Sequence, residues 1–235
     1  MLTRSSGTLL TIAAHPDDEV LGCAATVRRL VQTGWSAHLI VMTAGVAGRL
    51  TEPEAAVQSP ERAALLAQLH AAADVVGYAG RTVLGFPDNR MDTVSRMDIA
   101  HALTPHVQTL RPDLVLTHHP GDYNWDHGRT FDAVMMAARA NPPDHAPGEI
   151  WAFEVLSSTE RGWQTPDRAF HPNLYVDIAR TIDQKKLAMS IYQNEYRPYP
   201  HPRSIEGIEY LARKRGGEIG IAYAEAFHMI RRVIA

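Results

Sequence analysis

Thr8-Leu9-Leu10-Thr11-Ile12-Ala13-Ala14-His15-Pro16-Asp17-Asp18-Glu19 is the stretch on which the fold reading turns. Thr8 to Ala14 is a short apolar run with β-branched members and no polar alternation, the pattern of a strand buried on both faces. From Asp18 the period changes. Val20, Leu21, Ala24, Val27, Leu30 and Val31 share one helical face, and Gly34 closes the pattern after Thr33.

Working outward, strand and helix signals keep alternating. Ala37–Met42 reads as a second strand and Pro60–Val76 as a second helix, with Pro60 in its first turn and Gly77 after its end. Thr82–Leu84 is a weak third strand. Asp92–Leu110 reads as a third helix that Pro105 should distort or interrupt. Leu114–Thr117 is a fourth strand and Asp126–Ala140 a fourth helix. The expected fold class is α/β: Rossmann-like, a mostly parallel sheet with helices on both faces. Further on, Ile150–Leu156 and Leu174–Val176 resemble strands, Ile178–Tyr192 and Ile205–Arg215 helices, and Arg197–Pro202 a loop. No linker stands out, so residues 1–235 read as one domain. Residues 1–140 form the Rossmann-like half, and 141–235 complete the site and supply substrate loops.

Composition narrows the function classes. With 45% hydrophobic and 21% charged residues, disorder across most of the chain is excluded, and 235 residues can bury a sizeable core. A net charge of −3 does not point to nucleic acid or an anionic membrane. No apolar stretch approaches the ~20 residues of a membrane span. The polar start lacks a signal-peptide core, so a cytoplasmic location is expected. Cys23 is the single cysteine, which excludes a disulfide framework and any multi-cysteine metal site. Twelve histidines direct attention to metal or acid–base chemistry. Gly-x-Ser-x-Gly, Walker and His-Glu-x-x-His motifs are absent.

Two polar clusters carry the chemistry. One is Ala14–Glu19. The other, His118-His119-Pro120-Gly121-Asp122-Tyr123-Asn124-Trp125-Asp126-His127, follows the fourth strand. In the common doubly wound order 3-2-1-4, strands one and four are neighbours whose crossovers leave to opposite faces. Ligands bind at such a switch point, so both clusters should face one crevice. His15 and Asp18, three apart at a strand-to-helix turn, can point at one divalent ion, and His127 would complete the set. Two His and one Asp accept zinc, iron, manganese or cobalt. Asp17 would be a spare carboxylate, placed to take a proton from water attacking an acyl carbon. Asn124 is the best candidate donor to the resulting oxyanion. The same acidic residues also suit helix N-termini, and Asp126 is a candidate cap for the fourth helix.

Ala14-His15-Pro16-Asp17-Asp18-Glu19 resembles the signature of the LmbE-like/PIG-L zinc-dependent N-deacetylases, and Asp126-His127 is similar to their second motif. Weaker likenesses are Thr43-Ala44-Gly45, Leu84-Gly85-Phe86-Pro87-Asp88 and Tyr223-Ala224-Glu225-Ala226-Phe227. The resemblance implies a Rossmann-like fold and removal of an N-acetyl group from an amino sugar such as N-acetylglucosamine, or from a glycoconjugate. It also implies one zinc on His15, Asp18 and His127, with Asp17 as base. Many members carry a histidine where this chain has Asn124; the candidate replacements are Asp17, serving as base first and acid later, or His118 or His119 reaching in.

Arg49 and Asp88 follow strands two and three and are expected to bind substrate hydroxyls. Glu225 is a weaker site candidate. Trp125 is read as stacking on a sugar or packing, and His201 as part of a lid. The expected partner is a small N-acylated sugar or glycoconjugate, and the apolar second half leaves room for a homo-oligomer. The rival readings are a metal-dependent hydratase or lyase on the same scaffold, and a non-catalytic sugar-binding protein.

Overall fold

A computed structural model describes residues 6–45, 59–141 and 144–234. Its strands are β1 (Thr8–Ala13), β2 (Ser36–Thr43), β3 (Gly80–Phe86), β4 (Leu114–His118), β5 (Glu149–Phe153), β6 (Leu174–Asp177) and β7 (Ala224–Arg232). Its helices are α1 (Asp18–Gln32), α2 (Pro60–Val76), α3 (Arg96–Leu110), α4 (Trp125–Ala137), α5 (Ile182–Ile191) and α6 (Ile205–Gly217). All seven strands join one sheet, in the order β3-β2-β1-β4-β5-β7-β6. The first five are parallel, whereas β7 runs antiparallel between β5 and β6. The expected 3-2-1-4 order is present, with β1 between β2 and β4.

The centre of the sheet explains its sequence. Along β1, Leu9 and Ala13 belong to the apolar cluster shared with α1, α2 and α5, and Leu10 and Ile12 to the cluster shared with α3 and α4. All four are fully buried. Each leucine or isoleucine so covered contributes about 1.5–3 kcal/mol. Both faces are apolar, hence the unbroken hydrophobic run.

On α1, Gly22 permits a close approach to β5: a Cβ there would stand 2.3 Å from the Phe153 ring. Gly22→Ala is expected to destabilise the fold by about 1–3 kcal/mol through overpacking, read as a lower melting temperature. An unchanged melting temperature would show that α1 can shift away.

Three expectations need correcting. Pro105 lies inside α3 without ending it. It is exposed, as is His101, so the carbonyl that loses its partner faces water. The chain before α3 is a short 3-10 turn at Met91–Thr93, so the helix starts at Arg96 instead of Asp92. Helix α4 starts at Trp125, and its cap is Asn124 in place of Asp126: the Asn124 Oδ1 accepts from Asp126 N–H at 2.9 Å.

Strand β7 had no sequence signal as a strand. Ala224-Glu225-Ala226 is helix-favouring, and pairing with β5 and β6 overrides it. A buried ion pair fixes this strand. Lys185 Nζ lies 2.6 Å from Glu225 Oε1 and donates to the Leu21 carbonyl at 2.8 Å. The Glu225 carboxylate also accepts from the N–H groups of Ala25 (3.1 Å) and Thr26 (2.7 Å). Glu225 therefore ties β7 to α1 and α5.

Candidate active site

Strands β1 and β4 are paired neighbours, so their carboxyl ends open side by side. The two polar clusters meet there in a cavity of about 360 Å³, whose lining includes His15, Asp17, Asp18, Asp88, Asn124 and His127.

Asp18 is the hub. Its Oδ2 lies 3.1 Å from His15 Nδ1 and 3.3 Å from His127 Nε2. One ligand atom from each of the three residues lies within 4.8 Å of the others. The far nitrogen of each histidine faces a carboxylate. His15 Nε2 is 3.1 Å from Asp126 Oδ2 and 3.4 Å from Asp88 Oδ1, and His127 Nδ1 is 3.1 Å from Asp122 Oδ1. Such partners orient an imidazole so that its other nitrogen meets a metal. Burial lowers the pKa of His127, but Asp18 and Asp122 override it and hold the ring up at about 9. Surroundings that attract a proton this strongly attract a cation too, and the two compete for the same nitrogen. Two imidazoles, each supported from behind, and one carboxylate therefore fit a divalent ion.

His15, Asp88 and Asp126 form a second acidic group. Asp126 is already occupied: its oxygens accept from Asn89 N–H (2.7 Å) and Met91 N–H (3.0 Å). Its geometry is that of a positioning group behind His15.

Asp17 stands at the N-cap of α1 with φ 105° and ψ −28°, yet its side chain makes no capping hydrogen bond. Its Oδ2 instead accepts from Arg203 Nη1 at 2.9 Å. Burial raises its pKa well above the carboxylate range, and Arg203 opposes the rise. Its N–H donates to Glu19 Oε2 at 3.0 Å, and Tyr192 OH donates to the other Glu19 oxygen at 2.5 Å. Burial lifts Glu19 to about 7.

The Asn124 Nδ2 donates to Asn89 Oδ1 at 3.2 Å, so among the described residues one of its N–H groups is used and the other left over. Asp88 is buried in the cavity wall. Arg49 lies outside the described residues.

A model of the PIG-L family, described as GlcNAc-PI de-N-acetylase, matches residues 10–138, more than half of the chain. The chain belongs to this family. The PIG-L stretch runs from within β1 to the end of α4 and contains His15, Asp18 and His127. The chain is similar to the uncharacterized deacetylase YaiS of Escherichia coli K12, at 30% identity over 77% of this chain and 86% of that protein. It is also similar to the 1D-myo-inositol 2-acetamido-2-deoxy-alpha-D-glucopyranoside deacetylase of Rhodococcus jostii, at 27% identity over 86% and 84% of the two chains. Among solved structures it shares the fold of the N,N'-diacetylchitobiose deacetylase of Pyrococcus horikoshii. There the TM-score is 0.76 at 23% identity, covering 95% of this chain and 83% of that one.

Two residues around the candidate site were not singled out from the sequence. Asp122 is one. It accepts from Ser158 Oγ, from Thr159 Oγ1 (2.5 Å) and from Asn124 N–H (2.9 Å). His127 and these donors hold its carboxyl well below the usual range despite burial. Arg203 is another, reaching Asp17, Glu195 (3.0 Å) and Ser157 (2.7 Å) together.

Two expected substitutes for the family histidine do not reach the cavity. His118 Nε2 accepts from Ala14 N–H at 2.8 Å while its ring stacks on His127 at 3.9 Å between centroids. His119 Nε2 meets the Arg168 carbonyl at 2.7 Å. Glu225 is engaged with Lys185 and α1, away from the cavity lining. His201 does line the cavity, and its Nδ1 accepts from Arg203 N–H at 3.1 Å.

Proposed function

We propose that this protein is a metal-dependent amidohydrolase that removes an acetyl or related acyl group from an amino sugar or glycoconjugate, acting as one domain. One observation carries the reading: a spare buried carboxylate, Asp17, adjoins a donor set fit for one divalent ion, in a member of a deacetylase family. A site for binding alone has no use for that extra acid.

Zinc on His15, Asp18 and His127 suits the donor set, and would supply Lewis acidity toward the amide carbonyl and acidify a water. Asp17 accepts the proton of the attacking water. As the carbon–nitrogen bond breaks, Asp17 returns that proton to the departing amine, giving carboxylate and free amine. Arg203 keeps the Asp17 carboxylate oriented and, with the charge of a bound zinc, would hold it ionised against the effect of burial. The spare N–H of Asn124 donates to the oxygen that gains charge. An amide gives a hydrogen bond but no proton, which leaves both transfers to Asp17. Asp88 and Arg49 are assigned to substrate hydroxyls. Relatives whose names specify 2-acetamido sugars support this substrate class.

The test is metal content per chain together with acetate release. Wild type is expected to hold about one zinc and to release acetate from N-acetylated sugars. His127→Ala is expected to lose both. A wild type that takes up no metal when zinc is supplied would break the reading.

A further inference from the structure

Glu19 closes the first polar cluster and has no part in the reaction above. It is fully buried and does not line the cavity. Its carboxylate serves two donors. One oxygen accepts from the N–H of Asp17 at 3.0 Å, and the other from the hydroxyl of Tyr192, the residue at the C-cap of α5. Tyr192 is fully buried as well, 173 residues further along the chain.

The bond to Asp17 explains why that side chain is spare. In an ordinary capping box the N-cap side chain takes a free N–H of the first turn, and a Glu of that turn reaches back to the N-cap N–H. Here only the second half is present. Glu19, two residues on instead of three, takes the N–H of Asp17, and the Asp17 side chain makes no capping bond. At φ 105° the carboxylate is left free of the helix and lines the cavity instead. Aspartate holds such a φ only where its surroundings over-determine it. The Asp17 carbonyl is fixed by the N–H groups of Val20 and Leu21, each at 2.9 Å. The Asp17 N–H is fixed by Glu19. Released from Glu19, a buried donor would lose its partner and the turn would relax.

Tyr192 joins this hold to the one on the carboxylate. Its hydroxyl braces Glu19. Its carbonyl accepts from the Glu195 N–H at 3.0 Å, and Glu195 shares Arg203 with Asp17. Both grips on Asp17, at the backbone and at Oδ2, therefore lead back to the end of α5. That helix is itself packed on α1: Ala188, Met189 and Tyr192 lie in the same apolar cluster as Val20 and Leu21.

We propose that Glu19 and Tyr192 are positioning residues, which together clamp the Asp17 backbone and so aim its carboxylate at the water it deprotonates; this rests on the hydrolase reading above. Tyr192→Phe removes one hydroxyl and keeps the ring in the core. With zinc-loaded protein and N-acetylglucosamine, it is expected to lower kcat for acetate release by about 10–100-fold, the scale of a misplaced reacting group, with KM within about twofold and zinc content unchanged. Glu19→Gln keeps an acceptor for the Asp17 N–H and gains a donor for the Tyr192 oxygen, so it is expected to lose less than Tyr192→Phe. In the Asp17→Asn background, Tyr192→Phe is expected to cost nothing further, because the group it aims is gone. A second measurement needs neither metal nor turnover. Hydrogen exchange at the Asp17 amide, read by NMR on 15N-labelled protein, is expected to quicken about tenfold or more in Tyr192→Phe, while amides in the middle of α1 stay protected. Wild-type kcat in Tyr192→Phe, a greater loss in Glu19→Gln, an additive loss in the double variant, or an unchanged Asp17 amide each overturns the clamp. No acetate release by wild type, with the Asp17 amide still quickened in Tyr192→Phe, would sink the hydrolase reading and leave the backbone clamp standing.

Discussion

Asp17→Asn is expected to lower kcat for acetate release by about 10²–10⁴-fold, the span of a lost general base, with zinc content at the wild-type level. The change is isosteric. Asparagine tolerates a positive φ better than most residues, so the turn at φ 105° survives. Arg203 keeps an oxygen to donate to, and the ligands His15, Asp18 and His127 are untouched. The ability to take a proton is what disappears. Wild-type turnover in the variant would remove Asp17 from the reaction. Loss of zinc along with turnover would reassign it to holding the site together.

The largest effect on stability is expected away from the cavity. Lys185→Met leaves Glu225 buried with only the N–H groups of Ala25 and Thr26 as partners. Removing one member of a buried pair costs about 3–5 kcal/mol, on the order of 10 °C in Tm for a chain of this size. The double variant Lys185→Met, Glu225→Leu should recover part of that loss, because no charge is then stranded. Turnover per folded molecule should be retained. Scanning calorimetry of the three proteins decides the matter. A single variant as stable as wild type would mean that Glu225 takes up a proton or reaches water at little cost.

The Rossmann-like half was legible because its signals are local. The switch from an unbroken apolar run to a 3.6-residue period at Asp18 needs only neighbouring residues, and so does the polar turn between them. Strand order followed from the general habit of doubly wound sheets. β7 was not legible, since Ala224-Glu225-Ala226 favours a helix until β5 and β6 pair with it. The groups behind the ligands divide in the same way. Asp126 sits beside His127 in sequence and drew notice. Arg203 is 186 residues from Asp17, in a proline-rich stretch with no period to read. His118 and His119 look equivalent on paper. The alternation of a strand end sends one ring onto His127 and the other onto the Arg168 carbonyl. Asn124 was read as chemistry and Asp126 as the cap; the structure gives the cap to Asn124, whose amide then serves two ends at once.

The backbone at Asp17 sets two selective pressures against each other. A φ of 105° is territory that glycine occupies freely and aspartate only under constraint, at a cost of order 1–3 kcal/mol. Random mutagenesis screened for heat resistance alone would reward glycine at this position and breed a sturdier, inert protein. A screen for product would keep the acid and search for compensation in the core. Position 17 is thus where thermal endurance and turnover draw on the same few kilocalories, and a lineage under relaxed demand for its product would be expected to lose the carboxylate early.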